Sequence, residues 1–181
     1  LDYAEFLTDK EDEIEEFILS FIRERVAQRI ATITKRHDII DAVVNSHTSS
    51  IPEQLKAAKV LSAVSESEEF KGITEALNRV INISAKAQDD ASGEILEDRL
   101  ETASERTLVK AIKELHSKVQ TLTPEELYSH LEALAPKIND FFNENMVMVD
   151  DEAVRRNRLR FLGLLSEIIL DLADFTSLIV K

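Results

Sequence analysis

The stretch Phe141–Leu165, FFNENMVMVDDEAVRRNRLRFLGLL, has three parts in a fixed order. Phe141, Phe142, Met146, Val147, Met148 and Val149 form an apolar strap. Asp150, Asp151 and Glu152 then place negative charge where a helix should begin. A carboxylate at a first turn accepts from the orphan backbone N–H groups and complements the helix dipole. The helix that follows carries Arg155, Arg156, Arg158 and Arg160 before its first acid, Glu167. The strap is too apolar for a solvated loop, so it is expected to pack across neighbouring helices, with Met146 and Met148 as core filling.

Helical spacing extends outward in both directions. Downstream, Val154, Phe161, Leu165, Ile168, Ile169 and Leu172 form the buried stripe of a helix predicted from Asp151 to about Ile179. Upstream, Thr123-Pro124-Glu125-Glu126 is a helix start: threonine at the cap, proline in the first turn, acids behind it. Pro136 is expected to kink or restart that helix, because it lacks an N–H and its ring clashes with the preceding turn. Glu94–Thr121 reads as mostly helix with a break near Thr102–Ser104, and Gln88–Gly93 (QDDASG) as the one linker-like stretch. Phe70–Lys86 places Phe70, Ile73, Leu77, Val80 and Ile81 on one helical face. Pro52 suits the first turn of a helix that buries Leu55, Ala58, Val60, Leu61 and Val64, and His37–Val44 is a shorter helix before it. Residues from about 10 to 35 form one long amphipathic helix, with Phe17, Ile18, Phe21, Ile22, Val26, Ile30 and Ile33 on its apolar side.

Three glycines and three prolines in 181 residues favour long uninterrupted helices and argue against an all-β fold. The fold class is therefore all-α, a bundle of about six or seven helices. The absence of cysteine excludes a disulfide scaffold and thiolate metal sites. No run of eighteen apolar residues marks a membrane span, and the acidic N-terminus does not resemble a signal peptide, so a cytoplasmic setting is expected. The first residue, Leu1, is not methionine, which points to a piece of something longer. Net charge is −13, a poor overall match for a nucleic-acid binder. The acids concentrate in Asp9–Glu16, Glu66–Glu69, Asp89–Asp98 and Asp150–Glu152, and the bases in Arg23–Arg29, Lys35–Arg36 and Arg155–Arg160, so a local basic face is compatible with that total.

Two blocks carry a resemblance. The first is Phe141-Phe142, then Val147-Met148-Val149, then Asp151-Glu152-Ala153-Val154-Arg155, then Asn157-Arg158-Leu159. The second is Asn78-Arg79-Val80-Ile81-Asn82-Ile83, ending at Lys86. Together they resemble the C-terminal end of the beta subunits of bacterial-type glycyl-tRNA synthetases, a region similar to the DALR-type anticodon-binding domain also found in arginyl-tRNA synthetase. Ile40-Asp41-Ala42-Val43 stands in place of an "IDAV" turn of that family, whereas Asn78 and Ser84 depart from its usual basic residue and leucine. The resemblance implies a DALR-like bundle over 67–181 and an N-terminal helical segment, 1–66, connecting to the rest of such a subunit. It implies a tRNA partner recognised at the anticodon arm, and an alpha subunit that houses catalysis. The expected chemistry of the parent is ATP-dependent joining of glycine to tRNA, with no cofactor and no catalytic residue in this fragment.

The candidate RNA-binding residues are Arg79, Asn82, Lys86, Arg155, Arg156 and Arg160. Arg79, Asn82 and Lys86 lie at i, i+3 and i+7 on one helix, where Asn offers both a donor and an acceptor to unstacked bases. Arginine forks bind phosphate or stack on bases. Solvated faces are the plain alternative for all six. Arg158 lies close to the apolar stripe and reads as buried and paired, with Asp140, Asp151 or Glu152 as candidate partners. Two other functional readings remain open: a helical protein–protein interaction module, and an HD-type metal hydrolase fragment centred on His37-Asp38. The other histidines, His47, His116 and His130, show no ligand spacing, so His37-Asp38 reads more simply as a helix start.

Overall fold

The computed structural model describes residues 3–86 and 93–180, with side chains from residue 14 onward, residue 15 excepted. Most of the Gln88–Gly93 linker therefore lies outside the described residues, as do the side chains of most of the Asp9–Glu16 acidic block. The described residues form seven α-helices in order: α1 Tyr3–Ile30, α2 His37–Val44, α3 Ile51–Val64, α4 Glu68–Ala85, α5 Ala103–His116, α6 Pro124–Glu144 and α7 Glu152–Leu172. Among the described residues three 3-10 turns, Glu97–Arg99, Val119–Thr121 and Phe175–Ser177, lie between or after them. The described residues contain no strand. The expected all-α bundle is what forms, because helical apolar stripes recur along nearly the whole chain and can be buried only against one another.

α4 packs chiefly against α7 and also against α6, and α5 lies along α6. Leu77, Leu108, Ile112, Leu131, Ile138, Leu159 and Phe161 are fully enclosed at these contacts. Ala57, Ala58 and Leu61 of α3, and Ile39, Ala42 and Val43 of α2, join the same continuous core. The division at residue 66 falls in the α3–α4 turn, and core residues lie on both sides of it.

The helix starts follow the sequence chemistry closely. Thr123 Oγ1 accepts from the Glu126 N–H while the Glu126 carboxylate accepts from the Thr123 N–H, and Pro124 occupies the first turn. Thr102 and Glu105 form a second capping box, which places the α5 start at the anticipated break. The Asp151 carboxylate accepts from the Ala153 and Val154 N–H groups and caps α7.

Four expectations need correction. Pro136 does not restart α6, which continues as one helix through it. The ring sits on the exposed side, and the buried Leu131, Leu134, Ile138 and Phe141 on either side hold the helix against its cost of about 3 kcal/mol. α7 ends at Leu172 rather than near Ile179. The Asp174 N–H bonds the Ala42 carbonyl of α2 instead of continuing the helix, a tertiary stop that no glycine or proline announces. Residues 94–102 are extended or 3-10 rather than α-helical, because the Leu96 backbone is engaged by α7. The apolar side of α1 is buried only at Val26 and Ile30, while Phe17, Ile18, Phe21 and Ile22 are exposed. Its main contacts among the described residues are with the short helices α2 and α3.

The two ends of the bundle are tied at α2. Arg36 donates from Nε to Asp38 Oδ1 and from Nη2 both to Asp38 Oδ2 and to the Ile179 carbonyl, and the Ile179 N–H returns to Asp38 Oδ2. Burial pushes the Asp38 carboxyl up, but the bonds from Arg36 and Ile179 outweigh it and hold the group below its ordinary value. A depressed folded-state value means that the clasp contributes its full stability above the ordinary carboxylate range, and loses it as pH falls through the folded value. The protection of the Ile179 amide, taken relative to the intrinsic exchange rate at each pH, should therefore fall on acidification from pH 7 toward pH 3. In Asp38→Asn that protection should already be low at pH 7 and should change little with pH. An equally protected amide in the variant would show that the clasp does not hold the tail.

Candidate nucleic-acid interface

The four arginines of α7 do not form one exposed patch. Arg158 is buried, and its guanidinium is fully engaged. Nε donates to Glu105 Oε1 at 2.6 Å, Nη1 to the Met146 carbonyl at 2.9 Å, and Nη2 to Glu101 Oε2 at 2.9 Å and to Asn145 Oδ1. Burial and pairing were anticipated, but the partners were not. The two carboxylates come from Glu105 of α5 and Glu101 just before it, more than fifty residues away in sequence, rather than from Asp140, Asp151 or Glu152. Glu105 is itself fully buried, and its second oxygen accepts from the Glu101 and Thr102 N–H groups. One carboxylate thus caps α5 and neutralises α7.

Arg155 is half-buried and donates to the Val149 carbonyl at 2.8 Å, which fastens the strap to the first turn of α7. Arg160 is half-buried, and its Nη1 donates to the Glu94 carbonyl at 3.1 Å. It lies so close to Gly93 that an added Cβ would come within 3.2–3.3 Å of the guanidinium, and Gly93 holds φ +107, so glycine suits the position twice over. Arg156 is exposed and pairs with Glu152 one turn back. Such a solvated pair contributes at most about 1 kcal/mol and is readily exchanged. Asn157, absent from the sequence-based set, is buried and exchanges two hydrogen bonds with the Leu96 backbone, in the manner of a strand partner.

The α4 set is differently placed. Arg79 and Asn82 of α4 and Lys86, the residue that ends it, are all exposed. The Arg79 guanidinium lies over the Phe142 ring, 4.0 Å from its centroid. Phe142 packs on Phe141, which meets Phe161 of α7 edge-on at 5.2 Å. Arg79 is therefore a surface cation laid on an aromatic floor that reaches into the core, with less rotamer freedom to lose on binding than an unsupported arginine.

The strap itself differs from expectation. Val147 is buried, but Met146 and Met148 are exposed at 71% and 63%. Burial alternates along the bent segment, with Asn145 and Val147 inward and Met146 and Met148 outward, so only every second residue is core filling. His37-Asp38 sits at the start of α2 as read, and the Asp38 carboxylate is committed to Arg36 and Ile179. Among the described residues no group of three or more His, Asp or Glu side chains converges as a metal site would require. None of the described helices is long and apolar enough to cross a membrane.

Comparison with known proteins bears on this arrangement. Residues 73–174, from α4 to the end of α7, match the DALR anticodon binding domain. The chain is 34% identical to the glycine–tRNA ligase beta subunit of Lactobacillus acidophilus over 93% of its length, and 35% identical to that of Lactiplantibacillus plantarum over 91%. The corresponding subunit of Lacticaseibacillus casei is 36% identical over 90%. The chain spans about a quarter of the length of these relatives.

Proposed function

The chain belongs to the DALR anticodon binding domain family, and we propose that it is the part of a glycyl-tRNA synthetase beta subunit that grips the anticodon arm of tRNA. The observation that carries this reading is the match over 73–174, which spans both the α4 helix bearing Arg79 and the α7 helix bearing the arginine cluster. In this reading the fragment performs no chemistry. It supports ATP-dependent glycylation carried out in the cytoplasm with an alpha subunit, and itself requires no cofactor.

Arg79, Asn82 and Lys86 are the primary contacts, and Arg156 joins them by exchanging Glu152 for phosphate. Arg155 and Arg160 contribute indirectly, by fixing the strap and the α4–α5 loop through the Val149 and Glu94 carbonyls. An anticodon loop presents splayed bases, for which the Asn82 amide offers a donor and an acceptor and the Arg79 fork a stacking plane. The surrounding acids exclude most nucleic acid by repulsion, so affinity depends on this narrow basic strip.

Filter binding to a glycine-tRNA anticodon stem-loop tests the proposal. Arg79→Ala should weaken binding by about 1–2 kcal/mol, roughly 5- to 30-fold. Lys86→Ala, as the loss of one phosphate contact, should make the log–log salt dependence shallower by about 0.7. Affinity equal to that for an unrelated stem-loop, unchanged in Arg79→Ala, would end the reading.

A further inference from the structure

Met146 and Met148 stand out from a strap that is pinned along its length. The Asn145 N–H donates to the Phe141 carbonyl, and the buried Asn145 side chain donates to the Ser104 hydroxyl and accepts from the Thr102 hydroxyl. The Met146 carbonyl accepts from Arg158, and the Val149 carbonyl from Arg155. Between them the Val149 N–H returns to the Val147 carbonyl at 3.1 Å, a three-residue turn with Met148 at its apex. Val147 is buried beneath, and both thioethers are left in solvent. Two side chains presented in this way add nothing to the core. They form a small apolar surface whose backbone is already ordered, and methionine is a residue of adaptable binding surfaces.

The strap closes the end of the bundle at which α6 stops and α7 starts. Arg79 belongs to this end too, because it lies on Phe142 in the last turn of α6. Phe142 and Met146 are four residues apart, so their Cα atoms are separated by at most about 14 Å, within the reach of one RNA loop. The neighbouring carboxylates decide what part of that loop the methionines meet. Asp151 caps α7, Glu152 pairs with Arg156, Glu144 accepts from the Ser104 N–H, and Asp150 is exposed. These acids repel a phosphate, whereas the uncharged face of a base is tolerated. On the basis of the anticodon-arm reading above, we propose that Met146 and Met148 hold an unpaired base of the anticodon loop against their thioethers, while Arg79 engages the same loop beside them. Polarizable sulfur packs well on an aromatic ring. Every base has such a face, so the contact selects an open loop over a paired stem rather than one base over another.

Filter binding of the 181-residue chain to the glycine-tRNA anticodon stem-loop, across a salt series, is the test. Met146→Gln and Met148→Gln should each weaken binding by about 2- to 10-fold. The melting temperature should not change, because both side chains are exposed. The slope of affinity against salt should stay that of the wild type, since no phosphate contact is lost. Met148→Leu, which keeps the apolar surface, should bind nearly as the wild type does. Replacing the loop nucleotides one at a time by abasic sugars should find one position at which Met148→Gln has no further effect. Full affinity in either glutamine variant, when Arg79→Ala is weakened, overturns this inference and leaves the anticodon reading standing. So does an altered salt slope, or an undiminished effect of Met148→Gln at every abasic position. A wild-type chain that does not prefer this stem-loop to an unrelated one overturns both.

Discussion

Arg158→Ala is expected to destabilise the folded chain by about 3–5 kcal/mol, the range for removing one partner of a buried ion pair. Arg158 is only 4% exposed, and its guanidinium is met by two carboxylates, one backbone carbonyl and one amide oxygen. Truncation leaves Glu105, fully enclosed, with a charge and no cation. Because that carboxylate also accepts from the Glu101 and Thr102 N–H groups, it cannot swing out to water without uncapping α5. Urea unfolding measures the loss directly, and in a domain of this size it corresponds to roughly 6–20 °C in melting temperature. Arg158→Lys should recover only part of it, since an ammonium cannot span acceptors arranged around a planar fork. Pairing Arg158→Met with Glu105→Gln should cost less than Arg158→Ala alone, because the unpaired charge is then gone. A change below about 1 kcal/mol in Arg158→Ala would mean that the α5–α7 junction is held by packing alone.

Phe161→Ala has the second largest expected effect, about 3–5 kcal/mol. Phe161 is fully buried on α7 and meets the equally buried Phe141 of α6 edge-on, so alanine leaves a cavity bounded by helices already pinned by other contacts. Phe161→Leu should cost much less, since most of the volume is kept. This site also reaches the proposed RNA surface. Phe141 supports Phe142, and Phe142 is the floor beneath Arg79. Phe161→Ala should therefore weaken anticodon stem-loop binding under conditions where the variant remains folded, while Phe17→Ala, on the exposed stripe of α1, should change neither stability nor RNA affinity measurably. Full RNA affinity in folded Phe161→Ala would detach the aromatic floor from recognition.

The contrast between α6 and α1 shows how far sequence patterns reach. Both carry strong apolar periodicity and an acidic start, and both were expected as helices with one buried face. α6 meets α3, α4, α5 and α7, and its stripe is enclosed. Among the described residues α1 meets chiefly α2 and α3, and Phe17, Ile18, Phe21 and Ile22 of its stripe face solvent. Periodicity reports that a helix has an apolar side. It carries no information on how many neighbours that side finds. The methionines of the strap teach the same lesson at shorter range: hydropathy marked the segment as buried, but the irregular backbone turns only alternate residues inward, so Val147 is covered and Met146 and Met148 are not.

Local chemistry settled the helical class, the capped starts at Thr102, Thr123 and Asp151, and the placement of Arg79, Asn82 and Lys86 on one side of α4, because caps and helical faces depend on residues within one or two turns. Long-range geometry assigned the arginines of α7 their separate duties. Arg158 meets Glu105 and Glu101, Arg160 meets the Glu94 carbonyl, and Asn157 meets Leu96, all across chain separations that no local pattern encodes. A charge's fate depends on the acceptors that folding brings to it, and those acceptors lie on other helices.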